Sequence, residues 1–182
     1  MSSKQKRLLL SGCALTGSLL LGWAFLFGPL RMDARAPAAA SAEQRTAKIG
    51  DREKVEKSDE QWRAELTSEQ YHILRQSGTE PRGTGRFVNH HADGVYTCAG
   101  CGSALFDSRD KFESGTGWPS YIRPAAESVI GTRDDTSLFE VRTEVYCRRC
   151  DGHLGHVFED GPEPTGLRYC INSAALDFAP RD

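Results

Sequence analysis

Four of the six cysteines stand in two CxxC pairs, Cys98 with Cys101 and Cys147 with Cys150, and this arrangement limits the folds open to the chain. Four thiolates are the ligand set of a closed, tetrahedral structural zinc site. Cys101 and Cys147 are 46 positions apart, so a metal bound by both pairs would join two distant segments of one domain. We therefore predict one structural Zn²⁺ per chain, held in a knuckle of four cysteines.

Two other interpretations of the paired cysteines remain open from the sequence. Two disulfides are possible, particularly if the domain is exported to an oxidising compartment. A thioredoxin-like redox motif is also possible, but the chain lacks the βαβ pattern that accompanies it, and such a motif does not need two pairs. The zinc interpretation is the one that uses all four thiols together.

Cys170 is a thiol of the C-terminal region that neither pair includes. It lies in an alternating apolar and polar run, residues 167–172, which is typical of a strand. Because side chains two apart share a face of a strand, Arg168 and Asn172 lie on the same face as Cys170. A neighbouring cation lowers a thiol pKa, and a carboxamide can bind a polar oxygen. We predict a nucleophilic cysteine, although a lone cysteine in a strand is more often a small buried apolar residue.

Three more segments complete a set of motifs that is specific when taken together. They are the Gly-rich turn Ser114-Gly115-Thr116-Gly117-Trp118-Pro119-Ser120, the run Arg142-Thr143-Glu144-Val145, and residues 147–158, which include His153 and His156 and are followed by Gly161-Pro162.

This motif set closely resembles that of the B-type methionine sulfoxide reductases, and the likeness extends from about Trp62 to Phe178. The resemblance implies an enzyme that reduces the R epimer of methionine sulfoxide in oxidised proteins and so repairs them. It makes Cys170 the nucleophile, which becomes a sulfenic acid as methionine leaves. It also implies a substrate pocket, with Arg168 and Asp160 in support, formed by Trp118, His153, His156 and Asn172.

The residue types suit this reaction. A sulfoxide has an electrophilic sulfur and an oxygen that leaves only when protonated, so the enzyme needs a thiolate, an acid and an apolar wall. Cys170, one of the two histidines and Trp118 can supply them. Each of these residues alone has an ordinary structural interpretation, such as core packing or a hydrogen-bonded turn. Their occurrence in one motif set favours the functional one.

Thr116 marks a departure from many members of that family, in which a second, resolving cysteine stands at this position. The other cysteines are the four proposed zinc ligands and Cys13, which lies in an apolar N-terminal segment. We therefore expect recycling of Cys170 to require an external thiol or a thioredoxin-like reductant.

The N-terminal 30 residues read as a membrane anchor or a signal sequence. Leu8 to Leu30 carry no charged residue and are long enough to span a bilayer, and basic residues precede them. The basic end is expected to stay in the cytoplasm, so the rest of the chain would lie outside it, in the periplasm or, after cleavage near Ala42, exported. Residues 31–58 are predicted to be a flexible tether and residues 59–182 the catalytic domain.

The fold expected for residues 59–182 is mainly β (α+β). Residues 59–76 show helical spacing, with Thr67 and Gln70 as a capping box, and short alternating runs follow from Gly94, the clearest at 138–147. Helices followed by strands indicate this class, and the resemblance implies two antiparallel sheets with short N-terminal helices packed on them. The net charge of −2, without a basic stripe, indicates no nucleic-acid partner. A non-catalytic, membrane-tethered binding module stabilised by zinc is the alternative function.

Overall fold

The computed structural model describes residues 53–137 and 140–182, which belong to one compact unit. The predicted anchor at 1–30, Cys13 and most of the tether lie outside the described residues. Within the described ranges, none of the helices has the length and apolar character needed to cross a bilayer.

Two short helices open the domain, as the sequence predicts. Helix α1 spans Asp59–Glu65 and helix α2 spans Ser68–Gln76. Ser58 and Thr67 begin them with reciprocal capping boxes, in which the N-cap side chain and the glutamine three residues later each bond to the other's backbone N–H. Helix α2 ends at Ser77, which adopts the left-handed conformation, and Gly78 follows it.

Nine strands form two antiparallel sheets, which confirms the predicted fold class. The three-stranded sheet has the order β2-β1-β9, and the six-stranded sheet has the order β3-β4-β8-β7-β6-β5. The strands are β1 Gly94–Cys98, β2 Ala104–Asp107, β3 Lys111–Phe112, β4 Ser120–Tyr121, β5 Ile130–Asp135, β6 Arg142–Cys147, β7 His153–Phe158, β8 Arg168–Ile171 and β9 Leu176–Pro180.

The core lies where the sheets and helices meet. Tyr96 of the small sheet packs edge-on against Tyr121 of the large sheet, with ring centroids 5.2 Å apart, and Phe106 stacks on Tyr121 at 4.4 Å. Trp62 and Leu74 of the two helices are buried beside the first cysteine pair. The helices therefore cover the knuckle as well as the sheet.

The predicted strand at 138–147 is shorter in the structure. Strand β6 begins at Arg142, Val141 is 70% exposed, and residues 138 and 139 lie outside the described residues. The alternation of apolar residues therefore overstates the strand at its N-terminal end.

The described end of the predicted tether contacts the domain. Residues 53–58 have no regular secondary structure, but the Val55 backbone N–H donates to the Arg149 carbonyl at 2.7 Å and its side chain packs on the core. Residues 53–58 are thus attached next to the second cysteine pair.

Strand β7 contains an irregularity that places the two histidines together. Val145 of β6 pairs with Gly155, but the next residue, Tyr146, pairs with His153, so Leu154 is an extra residue in β7. In a regular strand, His153 and His156 would point to opposite faces. The extra residue brings their rings to a centroid distance of 5.4 Å.

Candidate active site

Cys170 lies in the middle of the large sheet, on strand β8 between β4 and β7. Its register partners are Ser120 on β4 and His156 on β7. The pairing of β7 with β8 is the hairpin predicted around residues 161–166, and it brings His156 directly opposite the thiol. Thr116, in the Gly-rich turn, places its Oγ1 3.9 Å from the Cys170 Sγ.

Burial, rather than Arg168, determines the direction of the Cys170 pKa shift. Burial raises the pKa of the Cys170 thiol, whereas the Thr116 hydroxyl and the Arg168 guanidinium lower it by smaller amounts. Arg168 acts in the direction predicted from the sequence, but the net shift is upward. In the substrate-free pocket, Cys170 is therefore mostly a thiol at neutral pH.

Arg168 is held by other partners besides Cys170. Its Nε and Nη2 donate to the two carboxylate oxygens of Asp160, both at 2.8 Å, and its guanidinium lies 4.4 Å from the ring centroid of Phe158. Asp160 thus partly neutralises the charge that would stabilise a Cys170 thiolate. The two residues expected to support the pocket do form a pair, and that pair limits how far Arg168 lowers the thiol pKa.

His156 is hydrogen-bonded through its Nε2 to the carboxylate of Asp135. Hydrogen bonds from Ser137, and to a smaller extent from His156, hold the pKa of Asp135 well below its usual range. Asp135 is therefore a carboxylate that accepts a hydrogen bond from the His156 Nε2–H, and the two heavy atoms are 2.8 Å apart. Asp135 also accepts from Arg142 at 2.6 Å. Burial lowers the pKa of His156, and the bond to Asp135 opposes that shift. Among the described residues none bonds to the His156 Nδ1, so this nitrogen is available for chemistry.

His153 forms the same kind of pair but lies deeper. Its Nδ1–H donates to Glu144 at 2.7 Å, and Glu144 also accepts two bonds from Arg133. Burial raises the Glu144 pKa, but these bonds outweigh it, and the pKa is lowered. The His153 Nε2 is buried and has no hydrogen-bond partner in the part of the chain that the structure describes.

A cavity of about 120 Å³ opens beside the thiol. Four predicted site residues line it: Trp118, His156, Cys170 and Asn172. His153 and Arg168 do not line the cavity; each contacts a residue that does. The lining residues that sequence reasoning did not identify are Thr79, Arg142, Gly155 and Phe158.

The missed carboxylates had one sequence signal. Asp135 and Glu144 lie on strands β5 and β6, whose register pairs Arg133 with Glu144 and Asp135 with Arg142. Each of these strands carries an Arg and an acid two residues apart, which is the pattern of a charged face, although only β6 lies in a segment predicted to be a strand. The sequence does not give the register that aims this face at the histidines.

The four paired cysteines form one cluster, whose sulfur atoms all lie within 4.8 Å of one another. Cys98 and Cys150 sulfurs are 3.6 Å apart, as are those of Cys101 and Cys147. A disulfide requires about 2.05 Å, whereas sulfurs on a tetrahedral zinc with Zn–S bonds of about 2.3 Å are separated by roughly 3.8 Å. The spacing fits a metal site.

Both CxxC turns have the backbone shape of a knuckle. The residue after the second cysteine is left-handed in each, Gly102 at φ 71° and Asp151 at φ 60°. The first turn uses a glycine at this position and the second an aspartate. Arg149 and Arg75 donate to the carbonyls of Cys101 and Cys150 at 2.6 and 2.8 Å, which places two cations beside a cluster that is anionic when it binds a divalent metal.

Comparison with known proteins gives consistent matches. Residues 66–180 match the family model described as the SelR domain. The peptide methionine sulfoxide reductase MsrB of Thiobacillus denitrificans is 59% identical over 126 residues, 69% of this chain and 96% of that protein. The MsrB of Bradyrhizobium diazoefficiens is 56% identical over 129 residues, 71% of this chain and 93% of that protein. The MsrB of Methanosarcina mazei is 56% identical over 125 residues, which are 69% of this chain and 89% of that protein.

Proposed function

The chain belongs to the SelR-domain family of B-type peptide methionine sulfoxide reductases, and from this membership we propose that it reduces the R epimer of methionine sulfoxide in proteins through a Cys170 sulfenic acid. Methionine sulfoxide reduction, and the protein repair it accomplishes, is the activity to which the family match points. The alternative of a non-catalytic binding module is not favoured by that match.

One observation carries the proposal: Cys170 and His156 face each other across β8 and β7 in a small cavity that Trp118 also lines. This arrangement supplies the nucleophile, a proton donor and an apolar surface for the S-methyl group. Asp135 accepts the His156 Nε2–H, so a proton on Nδ1 is the one available for the sulfoxide oxygen. His153 does not line the cavity, so His156 is our candidate for the donor.

The proposed chemical step transfers one oxygen atom and two electrons. The Cys170 thiol passes its proton to the His156 Nδ1. The resulting thiolate attacks the sulfoxide sulfur while this proton moves on to the sulfoxide oxygen. The new bond between the two sulfurs then breaks as the hydroxyl group moves from the methionine sulfur to Cys170. Methionine leaves as the reduced thioether, and the Cys170 sulfur is oxidised to the sulfenic acid. The space between Trp118 and His156 accepts only one arrangement of the sulfoxide's methyl group, oxygen and peptide chain. This explains selectivity for one epimer.

Recycling needs two external thiols, because the described residues contain only the four clustered cysteines besides Cys170. One thiol of a dithiol reductant, thioredoxin-like in chemistry, attacks the sulfenic sulfur and releases water. The second thiol then attacks the mixed disulfide and frees Cys170.

We propose Zn²⁺ as the ion for the four-cysteine cluster, held by Cys98, Cys101, Cys147 and Cys150. Four sulfur ligands leave no open coordination position, so the metal would stabilise the fold and would not contact substrate. It would join the β1–β2 turn to the β6–β7 turn.

The proposed chemistry is tested by a single-turnover experiment. With one equivalent of the R sulfoxide and no reductant, we expect one equivalent of methionine and a Cys170 adduct with a dimedone-type probe. Cys170→Ser should give neither product. Methionine release without any adduct or disulfide at Cys170 would contradict the sulfenic acid route.

We also propose that residues 8–30 anchor the domain outside the cytoplasm, a proposal that rests on sequence alone because these residues lie outside the described ranges. Protease added to intact spheroplasts should digest the catalytic domain. Protection until the membrane is broken would show the opposite orientation.

A further inference from the structure

Glu80 lies between α2 and β1, on neither of the strands that carry Cys170 and His156, yet it bonds to both sides of the cavity. Its backbone N–H donates to the Asn172 Oδ1 at 3.1 Å, and its carbonyl accepts from the Trp118 Nε1 at 3.2 Å. Trp118 and Asn172 both line the cavity beside Cys170. One residue therefore fixes the positions of both relative to each other.

The Glu80 side chain holds the segment that follows the nucleophile. It is 3% exposed, and its two carboxylate oxygens accept the backbone N–H groups of Ser173 and Ala174 at 2.7 and 2.9 Å. These residues begin the 3₁₀ turn Ser173–Ala175, which starts two residues after β8 ends. Backbone N–H groups at the start of a helical turn need acceptors, and Glu80 provides them from a distant part of the chain.

This arrangement explains what Asn172 does. Asn172 occupies the N-cap position of the turn but makes no side-chain cap bond. Its Oδ1 accepts from Glu80 and its Nδ2 donates to the Leu154 carbonyl at 3.0 Å. Because the Glu80 carboxylate caps the turn, the Asn172 amide is free to join Glu80 to strand β7.

Gly85 and Ser173 lie close against the Glu80 carboxylate. A Cβ placed on Gly85 would meet the Ser173 Oγ at 2.2 Å and the Glu80 Oε1 at 2.4 Å. The Ser173 Oγ also accepts from the Phe87 backbone N–H at 3.2 Å. Residues 85–87 thus pack against Glu80 and Ser173, beside a second cavity of about 270 Å³ that Glu80, Gly85 and Ser173 also line.

We propose that Glu80 is a positioning residue for sulfoxide reduction: it fixes the separation of Trp118 and Asn172 across the cavity and the direction in which the chain leaves Cys170. This inference rests on the proposed function. Glu80 touches no reacting atom and acts through the residues it bonds.

The carboxylate is essential to this role. Two N–H donors face it, and a carboxylate accepts from both. A glutamine of the same shape offers one oxygen and one NH₂ group, so one backbone N–H would face another donor. Glu80→Gln therefore changes the bonding at the site while it keeps the side-chain volume.

The test compares Glu80→Gln with Ser58→Ala in the full-length, zinc-loaded chain. Ser58 caps α1 and does not line the cavity. Ser58→Ala therefore removes a helix cap, as Glu80→Gln weakens one, but at a site away from the cavity. We expect Glu80→Gln to raise KM and lower kcat, with kcat/KM reduced on the order of 10- to 100-fold, because small displacements of positioning residues have effects of that size. Ser58→Ala should stay within about twofold of wild type, as expected for a site that only caps a helix.

Two readouts separate positioning from other roles. Iodoacetamide should alkylate Cys170 at the wild-type rate in Glu80→Gln, because Glu80 does not contact the thiol. Acrylamide should quench the fluorescence of Trp118 more strongly in Glu80→Gln than in the wild type. The same measurement on each protein with Trp118→Phe added gives the signal of the other tryptophans, which is subtracted. The quenching readout does not need turnover, so it tests Glu80 even if the proposed activity fails.

Three results would overturn the proposal: unchanged kcat/KM and Trp118 quenching, a fall in Cys170 alkylation that matches the loss of activity, or an equal loss in Ser58→Ala. If Glu80→Gln does not fold, Glu80→Asp is measured instead. It keeps the charge but is one methylene shorter, and it should show a smaller loss in the same direction with greater Trp118 quenching. Wild-type values in Glu80→Asp for both quantities would count against the proposal.

Discussion

The Cys170 thiol is controlled by two opposing effects of its surroundings. Burial raises its pKa, and Arg168 lowers it. Arg168 is in turn bonded to Asp160, whose carboxylate is 63% exposed. The net upward shift means that the free thiol is protected from adventitious oxidation, since the thiolate is the reactive form.

This balance predicts opposite effects for two substitutions. A raised pKa means that the thiolate forms only at higher pH, so wild-type alkylation by iodoacetamide should reach half of its maximal rate above about pH 8.5, the pKa of a free thiol. Arg168→Gln should raise the pKa further and slow alkylation at pH 7 by about three- to tenfold. Asp160→Asn should remove the carboxylate that partly neutralises Arg168, lower the Cys170 pKa and speed alkylation at pH 7.

The rates are measured on zinc-loaded protein, with Cys170→Ser to account for other thiols. A wild-type plateau below pH 7, or changes of the same sign in both variants, would contradict the assignment.

Thr116 stands where a resolving thiol would have to be. Its Oγ1 is 3.9 Å from the Cys170 Sγ, so Thr116→Cys needs only a small movement to reach the bond length of about 2.05 Å. After one equivalent of sulfoxide without reductant, this variant should contain a disulfide between the introduced thiol and Cys170 in place of the sulfenic acid. Mass spectrometry of the unreduced protein detects it. An intramolecular Cys170 disulfide in the wild-type protein would instead show that the zinc ligands or the recycling route are misassigned.

The β7–β8 hairpin was predictable in part. Alternation at 167–172 and the Gly-Pro loop before it predict the strand and the turn. The extra residue at Leu154 has no such signal, because a bulge depends on which partner residues pair across β6. The alternation of side chains along a regular strand therefore predicts that His153 and His156 lie on opposite faces, whereas the structure places their rings together.

Gly155 allows β7 and β8 to approach each other beside the nucleophile. A Cβ at this position would lie 2.1 Å from the Cys170 carbonyl oxygen and 3.0 Å from the Ile171 Cα. Gly155→Ala must therefore displace the Cys170 backbone. We expect kcat/KM to fall at least tenfold and the protein to lose about 1–3 kcal/mol of stability from overpacking.

Gly100→Ala is the control, since its Cβ would meet its nearest neighbour at an ordinary 3.5 Å. It should retain activity. Wild-type kinetics in Gly155→Ala would mean that the close approach does not position Cys170.

Across the molecule, the candidate nucleophile and the four clustered cysteines could be identified from the sequence because each is a rare residue type in a short local pattern. Glu80, Asp135 and Glu144 could not, because each acts through a partner on another element of the fold. Glu80 bonds to Ser173 and Ala174, and Glu144 bonds to His153 across the bulge. A single carboxylate on a predicted strand or loop is ordinarily a solvated side chain, and only the tertiary register gives these three their roles.

The cysteine cluster joins the turns of both sheets, so metal binding should be coupled to folding. We expect about one zinc per chain by metal analysis. Chelation or Cys147→Ser should lower the melting temperature by at least 10 °C, equivalent to about 3 kcal/mol or more for a domain of this size. Absence of zinc together with paired disulfides among the four cysteines would overturn the metal assignment.

The central claim is a Cys170-dependent reduction of one sulfoxide epimer, and an assay with the separated R and S epimers of a methionine sulfoxide peptide tests it most directly. With dithiothreitol as reductant, we expect turnover of the R epimer, none of the S epimer above background, and no turnover of either by Cys170→Ser. Equal turnover of both epimers, a preference for S, or activity that survives Cys170→Ser would contradict the account.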